Sequence, residues 1–183
     1  MDEATALRRL KSGDFSGLEY LMHRYQTKAT RAAFLITRDT ARAEDAVQDV
    51  FLRIFRHPSR LDESRPFEPY LMRGVINAAL NACRRERRFV SLESGADAVE
   101  RLIERAASVE SRAEYSEMKW EILDALGQLP PRQRAAIVQR YYLDMSEKEM
   151  ALALDAAPGT VKWLLHSGRT TLRALLKKER IGP

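Results

Sequence analysis

Lys162, His166, Arg169 and Arg173 recur at a spacing that puts four cationic or titratable side chains on one side of an α-helix. Trp163 and Thr170 lie at the margin of that side. Val161, Leu164, Leu165, Gly168, Leu172, Leu175 and Leu176 fall on the other. Such a face breaks no bonds. Its N–H donors suit phosphate oxygens and the acceptor edges of bases. Immediately upstream, Ser146 and Glu149 form an S-x-x-E pattern that caps a short helix, with Met150, Ala151 and Leu154 as its apolar side. Asp155 stands at the turn, where Asp tolerates the left-handed conformation, and Pro158-Gly159-Thr160 restarts the chain. A short helix, a turn and a longer helix with one packed and one cationic face fit the major groove of DNA. A helical hairpin whose basic face is merely solvated has the same pattern.

A second divided stripe spans 70–88. Met72, Ile76, Ala79, Leu80 and Cys83 share one face, and Arg73, Asn77, Asn81, Arg84 and Arg88 share the opposite one. Amides and guanidinium groups in line can contact phosphates and base edges. Asn is a poor helix former, so its pairing at i and i+4 within an arginine stripe sets this face apart from ordinary solvated helix. Ahead of it, 56–71 is an irregular, Pro-bounded loop, a common carrier of recognition on helical scaffolds. A third stripe spans 43–55. Val47, Val50, Phe51, Ile54 and Phe55 are apolar, while Glu44, Asp45, Gln48 and Asp49 crowd the outer side near the helix start. A solvated acidic face is the simplest account of those four.

The elements that must position these stripes are helical. Periodicity of 3.6 predicts helices over 4–11, 15–37, 41–55, 70–88, 114–127, 132–142, 147–154 and 160–178, with no alternating strand. The fold class is therefore all-α. Between 89 and 113 the texture changes: Ser91, Ser94, Gly95, Ser108 and Ser111 interrupt it, and five acids (Glu93, Asp97, Glu100, Glu104, Glu110) face three bases (Arg101, Arg105, Arg112). This divides the chain into a module at 1–90, a flexible acidic linker at 91–113 and a module at 114–183. With 183 residues, 45% of them hydrophobic, the chain can bury a core, and a formal charge of +5 favours a polyanionic partner. No apolar run approaches the roughly 18 residues of a membrane span, so no membrane insertion is expected. A start without a secretory apolar core and a single cysteine point to the cytoplasm. His23, His57, His166 and Cys83 lack metal spacing, no Ser sits in a nucleophile motif, and no phosphate-binding loop is present. No metal, cofactor or catalytic residue is expected. Trp120, Tyr141 and Tyr142 are expected in core or inter-helix packing.

Taken in order, AEDAVQDVFLRIF, then F-x-x-Y-L-x-x-x-V-I-N-x-A-x-N-x-x-R-R at 67–85, LGQLPPRQRAAIVQRYYLDMSEKEMALAL and PGTVK resemble the extracytoplasmic-function (ECF) group of bacterial RNA polymerase sigma factors, of the sigma-70 family. The resemblance covers nearly the whole chain and implies two small helical domains, sigma regions 2 and 4. It implies that Glu44, Asp45, Gln48 and Asp49 dock on core RNA polymerase. It implies that Phe67, Tyr70, Arg73, Asn77, Asn81, Arg84, Arg85 and Arg88 read and melt the −10 element of promoter DNA, beside a loop that captures an unstacked base. Thr160, Lys162, Trp163, His166, Arg169 and Arg173 match the helix that enters the major groove at the −35 element. An anti-sigma factor is an implied partner, and a monomer is expected. Some residues depart from the family pattern: Tyr70 where Trp is usual, Asn81 where Asp is common, Asp155 for a turn Gly, and Trp163, Leu164, Ser167 and Thr171 at positions usually Ser, Arg, Arg and basic. Each lost base removes a potential phosphate contact. Two other readings remain: a helix-turn-helix regulator that acts without polymerase, and a sigma-like protein that sequesters an anti-sigma factor.

Overall fold

Aspartates begin the first three helices. Asp2 accepts from the Thr5 amide at 2.7 Å, Asp14 from Ser16 at 2.9 Å and Asp39 from Arg42 at 2.8 Å, each occupying an orphan donor of a first turn. Those bonds hold the Asp2 and Asp14 carboxyls below the usual carboxylate range. The helices so started are α1 (Glu3–Lys11), α2 (Phe15–Thr37) and α3 (Thr40–Arg56); a 3-10 turn (Pro58–Arg60) leads on to α4 (Phe67–Glu86). The computed structural model describes residues 1–86 and 112–179. Its second group is α5 (Arg112–Gln128), α6 (Pro131–Tyr141), α7 (Glu147–Leu154) and α8 (Pro158–Glu179). No strand occurs among the described residues, and the fold is all-α. The linker expected at 91–113 lies outside them except where α5 begins.

In the first group α2 is the spine: α1, α3 and α4 all pack on it, and α3 also packs on α4. Gly17 permits the tightest of these approaches. A Cβ there would stand 2.2 Å from the Ala6 carbonyl oxygen and 2.7 Å from the Leu10 amide nitrogen, both backbone atoms that cannot swing away. The start of α4 is tied down by Glu3. One of its carboxylate oxygens accepts from the Phe67 amide at 2.9 Å, and the other accepts from the Tyr25 hydroxyl. Burial, then this contact, pushes the Tyr25 pKa up to about 12.

In the second group Arg132 donates to the Leu154 carbonyl at 3.1 Å, closing the end of α7. The turn that follows has Asp155 in the left-handed region, φ 46°, as its residue type predicts. Ser146 and Glu149 form the full reciprocal cap at the start of α7.

The two groups do not stand apart. α6 packs on α2 and α4, α7 packs on α4, and the buried apolar side chains of both groups form one continuous cluster. Among the described residues no helix is long and apolar enough to cross a membrane.

Gly17→Ala is expected to destabilise the chain by about 3 kcal/mol, the upper end of overpacking costs. Thermal unfolding measures it, and an unchanged midpoint contradicts the α1–α2 contact.

Candidate nucleic-acid interface

α4 buries somewhat more than half of its circumference. Leu71, Met72, Val75, Ile76, Ala79, Leu80 and Cys83 are buried, facing α2, α3 and α7. What remains is a polar arc with Arg73, Asn81, Arg84 and Arg85 exposed and Asn77 half-buried. The arc is ordered from within, since Arg84 donates to the Asn81 side-chain oxygen at 2.5 Å. Arg88 lies outside the described residues.

The two aromatics at the start of α4 part company. Phe67, expected either to shape the DNA-facing surface or to be core, is core: it is 2% exposed, with its ring 5.7 Å from that of Tyr25. It presents no face to a base. Tyr70 is 44% exposed and sits 6.4 Å from the Phe67 ring. Phe67 therefore props Tyr70 from below. In the preceding loop Leu61 is the buried anchor, Asp62 accepts from Ser64 and pairs with Arg65, and Lys11 pairs with Glu63 at 2.9 Å. Fixed at those points, the loop leaves Ser59, Arg60 and Ser64 exposed.

On α3, Glu44, Asp45, Gln48 and Asp49 are all exposed. The same side continues into Leu52 and Phe55, 49% and 43% exposed. Phe55 was expected in the apolar stripe. Instead its ring meets Phe15 edge-on at 5.8 Å on the surface, because Val47, Val50, Phe51 and Ile54 already fill the inner side. Gly74 brings α4 so close to α3 that a Cβ there would lie 3.0 Å from a Val50 methyl. Farther out the helices leave an open groove of about 530 Å³, lined by Asp45, Gln48, Asp49, Leu52, Asn81 and Arg85. Residues assigned from sequence to two separate partners thus share one groove. Their distance in sequence, more than 30 positions, hid this.

On α8 the sequence division holds. Val161, Leu164, Leu165 and Gly168 are buried, whereas Thr160, Lys162, Trp163, His166, Arg169 and Arg173 are exposed. Trp163 is 59% exposed. Ser167 is occupied internally, accepting from the Gln133 amide at 3.0 Å. Gly168 sits against Ile137 on α6, where a Cβ would come within 3.1 Å. Of the aromatics expected in packing, Tyr142 is half-buried, Trp120 is 36% exposed and Tyr141 63% exposed. Among the described residues, no group of three or more His, Cys, Asp or Glu could hold a metal ion.

Two exposed cationic or amide-bearing helix faces on an all-α chain have the chemistry of a nucleic-acid-binding protein. The amino-acid sequence matches Sigma-70 region 2 over residues 21–89 and Sigma-70, region 4 over residues 119–172. It is 34% identical over 149 residues to the ECF RNA polymerase sigma factor SigL of Mycobacterium tuberculosis, a match covering 81% of this chain and 82% of that one. It is 29% identical over 170 residues to the RNA polymerase sigma factor CarQ of Myxococcus xanthus, covering 93% and 95%. The chain belongs to the ECF group of RNA polymerase sigma factors. Its fold is shared with CnrH, solved in complex with the cytosolic domain of CnrY, at a TM-score of 0.67 and 21% identity over 96% of this chain and 97% of that one. The sigma factor RpoE of Bartonella quintana, solved with the anti-sigma factor NepR, gives 0.63 and 20% identity over 87% and 97%.

Ser146→Ala is expected to cost about 1 kcal/mol at neutral pH, the usual worth of an N-cap. The Ser146 hydroxyl and amide hold the Glu149 carboxyl below its ordinary value of 4.5. A depressed carboxylate stabilises the fold above its unfolded pKa and loses that contribution as pH falls through the folded one. The Ser146→Ala penalty in thermal unfolding should therefore shrink below pH 4.5; a constant penalty contradicts the reciprocal cap.

Proposed function

We propose that this sigma factor binds core RNA polymerase through the outer side of α3 and directs it to promoters by reading a −10 element with α4 and a −35 element with α8. The observation that carries this reading is that Arg73, Asn81, Arg84 and Arg85 of α4 and the cationic side of α8 remain open to solvent while the apolar sides of those two helices pack on neighbouring helices. In this reading residues 1–90 belong to sigma region 2 and 114–183 to sigma region 4, with 91–113 connecting them.

Glu44, Asp45, Gln48 and Asp49 supply the docking surface, oriented by the Asp39 cap that fixes the start of α3. Arg73, Asn77, Asn81, Arg84, Arg85 and Arg88 face the −10 DNA. Tyr70 offers a platform for an unstacked base, a contact worth roughly 1–3 kcal/mol, which offsets part of the few kcal/mol that unstacking costs. Phe67 acts beneath it as a positioning residue. Thr160, Lys162, Trp163, His166, Arg169 and Arg173 enter the major groove. With Ser167 held by Gln133 and with Leu164 buried, fewer phosphate contacts are made there, which lowers the salt dependence of binding. Phosphodiester synthesis belongs to the polymerase, and the chain itself contributes binding rather than catalysis. It acts inside the cell as a monomer, and a protein inhibitor of the anti-sigma kind is its regulatory partner.

A run-off assay with purified core polymerase tests the reading: promoter-specific transcripts are expected only when the chain is added. Specific operator binding without polymerase would favour a conventional helix-turn-helix regulator. Capture of an inhibitor with neither activity would favour a sequestering role. Asn77→Ala and Asn81→Ala should reduce promoter opening, read by permanganate reactivity, about tenfold while leaving core affinity within twofold; equal losses contradict the α4 assignment. Asp49→Lys should weaken core association at moderate salt, and an unchanged titration removes α3 as the docking face.

A further inference from the structure

Asp2, Asp14, Asp39 and Ser146 each cap the helix that follows them, accepting from an amide of its first turn. α4 has no such residue. Pro66 precedes it, and a proline side chain carries no acceptor. The acceptor comes instead from α1, 64 positions upstream, where a Glu3 carboxylate oxygen takes the Phe67 amide at 2.9 Å. A carboxylate at that end of a helix also suits the macrodipole. The other Glu3 oxygen accepts from the Tyr25 hydroxyl, to which Arg24 Nε donates at 3.2 Å. The Tyr25 ring packs on Phe67, and Phe67 supports Tyr70. One side chain of α1 thus fixes both the backbone where α4 begins and the ring against which Phe67 rests.

The far end of α1 grips the same loop. Lys11 Nζ pairs with Glu63 at 2.9 Å, and α1 packs on the 3-10 turn that leads into the loop. Glu3 and Lys11 stand about 12 Å apart along the helix, so the two grips are separate. Between them Ser64, Arg65 and Pro66 are exposed. A helix that only completed the core would bury Ala6, Leu7 and Leu10, as α1 does, and would need no polar reach to this loop.

We propose that α1 is a positioning element for promoter opening, with Glu3 and Lys11 holding the segment 63–67 and Tyr70 in the arrangement that receives an unstacked base. The role rests on the −10 reading proposed above. In it neither Glu3 nor Lys11 contacts DNA; both act through the loop. A segment set in place beforehand does not have to be ordered when the base arrives.

Full-length variants with core polymerase and a promoter fragment test it. Glu3→Ala should slow promoter opening, read by permanganate reactivity, about tenfold, the weight of one lost helix cap, with core affinity within about twofold of wild type. Glu3→Gln keeps an acceptor for the Phe67 amide and should recover most of the rate. Abasic sites placed one at a time through the −10 element locate the captured base in wild type as the position of greatest loss. At that position the abasic site should slow wild type about tenfold and Glu3→Ala less than about twofold, because two changes that break one contact do not add. A variant that is merely less stable would keep the full abasic loss. Lys11→Glu should slow opening about threefold, the scale of an exposed ion pair, and adding Glu63→Lys in the same chain should restore it. That swap leaves Glu3 intact and decides the matter if Glu3→Ala does not fold. Wild-type opening by Glu3→Ala, an undiminished abasic loss in it, or no rescue by the charge swap each overturns the positioning role while the −10 reading stands. If wild type itself opens no promoter, or no abasic site slows it, the −10 reading fails and this role falls with it.

Discussion

Six consecutive residues of α6, Arg134 to Gln139, are buried. A helix can bury six in a row only when something covers every side, since successive side chains point 100° apart. α8 and α7 cover two sides, the Arg134 side chain reaches back to the Gly127 carbonyl of α5, and α2 with α4 covers the rest. The other elements arrange themselves around that helix. α8 keeps its cationic side outward because its apolar side is held on α6, and α4 keeps its polar arc outward because α7 occupies the flank beside it.

The two proposed reading surfaces are built by opposite means. α8 is an amphipathic helix with an apolar side packed on α6 and an exposed cationic outer side. α4 is wedged between neighbours, so close to α3 that a Cβ at position 74 would press on a Val50 methyl, and its polar arc is what wedging leaves over. Ordering Arg84 and Asn81 against each other before any ligand arrives reduces the side-chain entropy that recognition would otherwise cost. The groove between α3 and α4 places Asp49 and Arg85 along one lining.

Local rules carried most of the fold. The caps at Ser146 and Asp155 and the divided faces of α4 and α8 follow from spacing and residue type within a turn or two, and the structure keeps them among the described residues; α4, however, starts at Phe67, inside the stretch 56–71 expected as an irregular loop. What spacing could not show depends on residues far away. Phe67 is core because Glu3 and Tyr25, more than 40 positions upstream, pull the first turn of α4 inward. Phe55 is on the surface because four neighbours exhaust the inner side of α3. The burial of Gln139 has no local signature, since α6 is covered on that side by helices of the other group. The outward placing of the polar residues of α8 was legible because their partners are near in sequence: Arg169 donates to the Leu165 carbonyl of its own helix, and Lys162 pairs with Glu147 at 3.9 Å.

The most direct test of the account is site-specific photo-crosslinking from Tyr70 on α4 and Trp163 on α8, both exposed, in a complex of the chain with core polymerase and promoter DNA. The account requires Tyr70 to crosslink within the −10 element and Trp163 within the −35 element. Crosslinks from both positions to one element, or to polymerase alone, would contradict it.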